Sequence, residues 1–270
     1  MLPNAAFLYI TNDCELNCPY CCIHNNEKKE YMSYEVFSKV MDFLEQNNFF
    51  IVALSGGDPV MHPDLIQMIK EIHSRKMMPV MGITGVRLSE AYKKAIVSTG
   101  IKCIQLTLDG YDEESNSVFR SKRVFNEIIS NMKFFQNAGI NVNLATCVCR
   151  ENFNNFEKVL NLFLEQNAYE VKVEFMQQLG NEINFHELSD SEKERIIEIC
   201  IEFEKKNNLK GWINVDINFE SEKFNYLKQK VQSIQKFIVN PNGDVLKNEN
   251  MSAIANFLTM EFEEVKELYA

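Results

Sequence analysis

Four of the chain's eight cysteines lie within nine positions, in the stretch DCELNCPYCC at residues 13–22. Cys14, Cys18 and Cys21 form C-x3-C-x2-C directly after an apolar, strand-like run. Three thiolates on one short loop can wrap three corners of a cubane iron–sulfur cluster. A structural zinc ion, which takes a fourth protein ligand, is the alternative, with Cys22 or His24 supplying it. Gly56 and Gly57, in LSGGDP at residues 54–59, end a second apolar run. Two glycines let backbone come close to a ligand and expose N–H groups; a tight turn is the plainer reading.

These residues need a scaffold to hold them. Strand-like runs at residues 7–11, 50–56, 78–84, 102–110, 140–149 and 170–176 alternate with amphipathic stretches at 33–46, 64–74, 89–99, 124–139 and 153–167. A capping box of Ser189 and Glu192 opens a sixth helix that runs to about residue 206. Six strand–helix units predict an α/β fold with a parallel sheet wrapped by helices. From Gly211 the rhythm changes: a strand at 212–219, a helix at 221–234, a hairpin at 236–247 turning at Pro241-Asn242-Gly243, and a last helix. Residues 1–210 therefore form the main unit and residues 211–270 a small α+β extension.

Composition narrows the function. The formal net charge is −10 with no basic stripe, which disfavours nucleic acid as a partner. No apolar run approaches the roughly 20 residues of a membrane helix, and the N-terminus carries no secretory pattern, so a cytoplasmic location is expected. Thiols stay reduced there, which directs the clustered cysteines to metal or catalysis rather than disulfides. The twenty phenylalanines and twelve methionines mostly fit periodic core positions.

The motifs together resemble those of radical S-adenosylmethionine (SAM) enzymes. C-x3-C-x2-C with Tyr20 before its last cysteine is similar to that family's signature, and GGDP at 56–59 is similar to its Gly-Gly-Glu-Pro motif with Asp for Glu. LTLDG at 106–110, with Arg120 beyond it, resembles the fourth-strand region of the peptide maturases and sulfatase-maturing enzymes. The resemblance covers about residues 5–190. It implies a partial (β/α)6 TIM-like barrel and one [4Fe–4S] cluster on Cys14, Cys18 and Cys21. It further implies SAM on the cluster's open iron, cleaved by one electron to a 5′-deoxyadenosyl radical that takes a substrate hydrogen. A flavodoxin or ferredoxin would supply the electron, and a ribosomally made peptide is the expected substrate. On this resemblance Gly56, Gly57 and Asp58 approach the SAM amino group, Thr107 the ribose and Arg120 the carboxylate. Asp109 orders its loop, and Tyr20 is the aromatic beside the cluster. The cysteine loop, Gly56-Gly57, Thr84, Asp109, Cys149 and Gln177-Gln178 all fall at strand C-termini, the face on which barrel active sites form.

The pattern breaks in the extension. Residues 237–257 resemble the start of the SPASM/twitch element that binds auxiliary clusters in the peptide-modifying subgroup, yet no cysteine follows Cys200. No auxiliary cluster is expected. Cys147 and Cys149, near the end of the fifth strand, are candidate catalytic thiols, with core packing as the alternative. Cys103 and Cys200 are read as structural. Competing functions are a radical SAM enzyme acting on a small metabolite or activating a partner protein, and a non-catalytic metal-binding scaffold.

Overall fold

The computed structural model describes residues 3–21, 23, 28–120, 122–177, 185–216, 236–247 and 252–269. Its first strands and helices alternate: β1 (Ala5–Thr11), α1 (Tyr34–Gln46), β2 (Ile51–Gly56), α2 (Leu65–Ser74), β3 (Met78–Ile83), α3 (Glu90–Ser98) and β4 (Cys103–Thr107). Two helices follow, α4 (Glu113–Arg120) and α5 (Phe125–Asn137), then β5 (Asn141–Val148), α6 (Phe156–Glu165), β6 (Val171–Phe175) and α7 (Asp190–Lys206). Adjacent strands from β1 to β6 pair in parallel, as the six expected units require. Ser33, Ser89 and Ser189 cap α1, α3 and α7, each accepting from the backbone N–H three residues on. The capping box of Ser189 and Glu192 forms as read from the sequence.

Helix α4 has no counterpart in the apolar pattern. Its sequence, EESNSVFR, buries the polar Asn116 and Arg120 rather than an apolar stripe. It starts where the Asp112 carboxylate accepts from the Ser115 N–H at 2.8 Å.

Burial along the strands runs opposite to a packed barrel. Helix-facing residues such as Leu8, Val52, Ile104, Leu106, Leu144 and Val173 are fully buried or nearly so. Alternate residues facing the lumen, including Phe7, Tyr9, Val80, Gln105, Asn143 and Lys172, are only half-buried. A TIM barrel fills its interior with layered branched side chains. Here small residues stand at several inward positions, Ala53, Ser55, Gly82 and Thr107 among them, and leave a cavity of about 810 Å³.

The segment beyond residue 210 builds onto both ends of the same sheet. β7 (Ile213–Val215) pairs in parallel with β6, and β8 (Phe237–Val239) pairs in parallel with β1. β9 (Asp244–Lys247) and β10 (Ser252–Asn256) continue antiparallel, giving the order β10-β9-β8-β1-β2-β3-β4-β5-β6-β7 among the described residues. The hairpin turn falls at residues 240–243 as expected, and the last helix is α8 (Phe262–Tyr269). The helix expected at 221–234 lies outside the described residues. Lys236, just before β8, pairs with Asp216, just after β7, at 2.6 Å. That contact links the two ends of the parallel run by side chains. An aromatic cluster fixes β8 to α1: Phe43 stacks on Phe237 at 5.4 Å and meets Phe257 and Phe262 edge-on.

Candidate active site

The cysteine loop springs from the C-terminal end of β1 and is clipped shut at its base. Thr11 bridges to Tyr31, and Met32 N–H donates to Ile10 C=O at 2.7 Å. Asp13, buried at the root, accepts from the Tyr31 hydroxyl at 2.5 Å and from Lys29 Nζ at 2.6 Å. Within the loop the Cys21 N–H donates to Cys18 C=O at 3.0 Å, and the Leu16 N–H reaches Cys14 Sγ at 3.4 Å. Burial pushes the Cys14 thiol up to about 12, with the nearby Asp58, Cys18 and Cys21 adding to the rise. Burial also raises Cys18, against the pull of Arg120.

Gly56 and Gly57 have a second reason to be glycine. A Cβ on Gly56, whose φ is +123°, would lie 2.1 Å from Thr11 C=O, and one on Gly57 would lie 2.3 Å from Asp13 C=O. The Gly57 N–H donates to Thr11 C=O and the Asp58 N–H to Asp13 C=O, each at 2.7 Å. The end of β2 is thus bolted backbone-to-backbone onto the root of the cysteine loop. Both glycines also line the cavity. The Asp58 side chain turns away from it: fully buried, it accepts from the Thr84 hydroxyl and caps the short helix Pro59–Met61 through Val60 N–H. Burial pushes its carboxyl up to about 6.

Asp109 joins the loop to the far strands. Its Oδ2 accepts from the Tyr20 hydroxyl at 2.5 Å, and its Oδ1 from the Cys147 N–H at 2.8 Å. Arg120, presented by α4, lies with Nη2 2.8 Å from the same Oδ2 and donates through Nη1 to Cys18 Sγ at 3.7 Å. Neither Nε nor Nη2 makes a directed hydrogen bond among the described residues. Asn116 and Asn152 hold Asp109 from behind, one accepting from its N–H and the other donating to its C=O.

Tyr20, Cys21, Gly56, Gly57, Thr84, Thr107, Arg120 and Cys147 all line the cavity. The two candidate thiols separate. Cys147 lines the lumen, whereas Cys149 does not and is buried behind its wall with Phe119, Met176 and Phe185. Cys149 follows the end of β5, so strand alternation no longer sets its direction. Cys103 also faces the lumen, at the N-terminal end, and Cys200 is buried on α7.

A family profile described as "Radical SAM superfamily" matches residues 8–163. The chain belongs to the radical SAM superfamily. Among curated relatives, it is 24% identical over 157 residues to an AdoMet-dependent heme synthase of Nitratidesulfovibrio vulgaris, covering 57% of this chain and 42% of that protein. It is 23% identical over 218 residues to a PqqA peptide cyclase of Granulibacter bethesdensis, covering 79% and 58%. The chain thus spans about half the length of the curated relatives it matches. Among solved structures, SuiB of Streptococcus suis bound to precursor peptide SuiA superposes with a TM-score of 0.80 at 14% identity, over 100% of this chain and 65% of that one. The protein titled anSMEcpe with bound AdoMet superposes with a TM-score of 0.76 at 15% identity, over 98% and 80%. At these identities the structural matches establish the fold.

Membership of the radical SAM superfamily implies an iron–sulfur cluster and SAM, and the residues fit both. Among the described residues no three His, Cys, Asp or Glu side chains are arranged to hold a single metal ion. A cubane asks for something else, one thiolate at each of three separate irons. The fourth ligands considered for zinc, Cys22 and His24, lie outside the described residues. Thiols raised by burial need a positive group to hold them as thiolates, which cluster iron supplies. The Nε of buried Arg120, without a partner among the described residues, and Nη2, which lies against Asp109 without a directed hydrogen bond, suit a ligand carboxylate. The clip of Asp13, Lys29 and Tyr31, the supports Asn116 and Asn152, and the lumen charges of β6 carry no motif in the sequence. Their signal is buried or inward polar residues, which appears only once the register is known.

Proposed function

We propose that the chain is a radical SAM enzyme that takes a hydrogen from a substrate and that the substrate is a ribosomally made peptide. The observation that carries the enzyme reading is the convergence of the cysteine loop, the Gly56-Gly57 edge and Arg120 on one open cavity. When bound, a [4Fe–4S] cluster and SAM supply a 5′-deoxyadenosyl radical after one-electron reduction. Cys14, Cys18 and Cys21 hold the cluster. Gly56 and Gly57 set the backbone edge for the SAM amino group, and Arg120 takes its carboxylate with the donors that Asp109 leaves undirected. Thr107 faces the ribose. Tyr20 and Asp109 fix Arg120 in place. Cys147 lies in the lumen where a substrate would meet the radical. One cluster, on Cys14, Cys18 and Cys21, is the count we propose for the residues of this chain. A flavodoxin or ferredoxin is the expected electron donor.

The peptide reading is supported by the segment over 211–270, whose sequence resembles a SPASM/twitch element without its cysteines, and by the peptide cyclase relatives. The heme synthase relatives favour a second reading, a small-molecule substrate. Mass spectrometry of a co-expressed candidate peptide separates the two. A crosslink removes two hydrogens, and epimerisation leaves the mass unchanged but alters chiral analysis after hydrolysis. An unmodified set of candidate peptides, with turnover of a porphyrin-type metabolite instead, would move the assignment to the second reading.

A further inference from the structure

The cavity has two unlike walls. On one side β1 to β3 present Phe7, Tyr9, Ile51, Ala53, Met78 and Val80. On the other, β6 and the residue just before it present three charged residues two apart, Glu170, Lys172 and Glu174, all lining the lumen. They alternate with the buried Val171, Val173 and Phe175, so they share one face. The ammonium of Lys172 pairs with Glu174. Burial pulls the Lys172 pKa down, and Glu174, Asp216 and Glu170 outweigh it, so the side chain stays charged. Asp216 is matched by Lys236, and Lys102 stands at the exposed N-terminal rim. Glu170 is held only by amide groups among its described partners, Asn143 Nδ2 at 3.3 Å and Asn214 Nδ2 at 3.4 Å.

One ammonium therefore stands between two carboxylates on the same strand face. Residues two apart on a strand are roughly 7 Å apart, so a lysine between them can turn to either neighbour. Lys172 can leave Glu174 for Glu170, which releases the Glu174 carboxylate into the lumen. Glu174 is the register partner of Cys147, so the released carboxylate sits at the level where Cys147 faces the cavity. An anion entering there meets Glu170, Glu174 and Asp216. A cation meets an acceptor that needs a partner.

We infer that Glu174 is a substrate-specificity residue that binds a cationic side chain, ammonium or guanidinium, with Lys172 as its exchangeable counter-ion. The inference rests on the peptide-substrate reading and deepens it, by naming the chemistry of a residue next to the reacting one. Nothing covalent is involved; one ion pair is exchanged for another.

The test uses the reconstituted holoenzyme and the peptides Ac-Ala-X-Ala-NH2, with X as Lys, Arg, Glu, Gln or Leu, and reads binding by saturation-transfer NMR. Lys and Arg peptides should bind about threefold or more tightly than the Glu peptide, the scale of a charge pair that solvent partly screens. Glu174→Gln should erase the preference. The double swap of Lys172→Glu with Glu174→Lys keeps the ion pair and with it the fold, and should move the preference to the Glu peptide. No binding by any peptide, no preference, a preference for Glu in the unaltered protein, or a preference untouched by the swap each overturns the proposal. The Leu and Gln peptides report separately on the peptide-substrate reading: peptides that bind without a charge preference overturn the inference alone, whereas no binding by any peptide overturns both.

Discussion

The Tyr20 hydroxyl donates to Oδ2 of Asp109 at 2.5 Å, across 89 residues of sequence. The tyrosine lies inside the cysteine motif and the aspartate beyond the end of β4, so the contact ties the expected cluster loop to the far side of the cavity. Arg120 lies against the same oxygen. Removing Asp109 leaves that guanidinium buried without its counter-ion, a change that costs about 3–5 kcal/mol. Asp109→Ala should lower the urea midpoint accordingly, and SAM affinity should fall in the fraction that folds. An unchanged midpoint would mean that Arg120 reaches water or another acid.

Gly57→Ala tests the strut between β2 and the loop. The added methyl carbon would stand 2.3 Å from Asp13 C=O, closer than backbone tolerates, so the loop root must move. We expect a folded protein by far-UV circular dichroism with reduced iron after anaerobic reconstitution. Full iron loading would show that the strut does not position the thiolates.

Asp58 supplies a pH dependence of known sign. Its folded pKa, raised by burial from 3.8 to about 6, exceeds its unfolded value, so the folded state holds the proton more tightly. The stability this contributes is complete below about 3.8 and is lost as pH rises through 6, by about 3 kcal/mol at most. Asp58→Asn does not titrate. Between pH 4.5 and 7.5 its unfolding free energy should rise relative to the unaltered protein; parallel pH curves would contradict the assignment.

The extension is held by packing. Phe237 is fully buried against Phe43, Phe49 and Tyr269. Phe237→Ala should cost about 3–5 kcal/mol of global stability, read by urea unfolding. A loss confined to early proteolysis after residue 210, with the barrel transition unmoved, would make the extension a separate folding unit.

What the sequence made legible, and what it did not, follows from the range of the interactions. The six strand–helix units are set by local apolar periods and by caps such as Ser33, Ser89 and Ser189, and each lies within a few residues of its expected place. The cysteine and Gly-Gly motifs fall at strand ends for the same reason. Helix α4 was not legible because it buries Asn116 and Arg120 instead of an apolar stripe. The parallel pairing of β8 with β1 joins residues more than two hundred positions apart, and nothing in the local pattern of FIV at 237–239 sets it. The inward turn of Cys147 and the outward placement of Cys149 depend on where β5 ends. The direction of Asp58 depends on its bond to Thr84, itself a product of β2–β3 register. Family resemblance named Arg120; the fold explains why α4 must carry it.

The proposed function requires Cys14, Cys18 and Cys21 to hold one cluster that opens onto SAM. The direct measurement is 5′-deoxyadenosine formed from SAM by the anaerobically reconstituted chain, with and without dithionite, alongside iron per chain. The expected result is about four irons, dithionite-dependent 5′-deoxyadenosine, and loss of both on replacing the three cysteines with alanine. Cleavage that survives the triple replacement, or a tetrahedral zinc site with no cleavage at all, would contradict it.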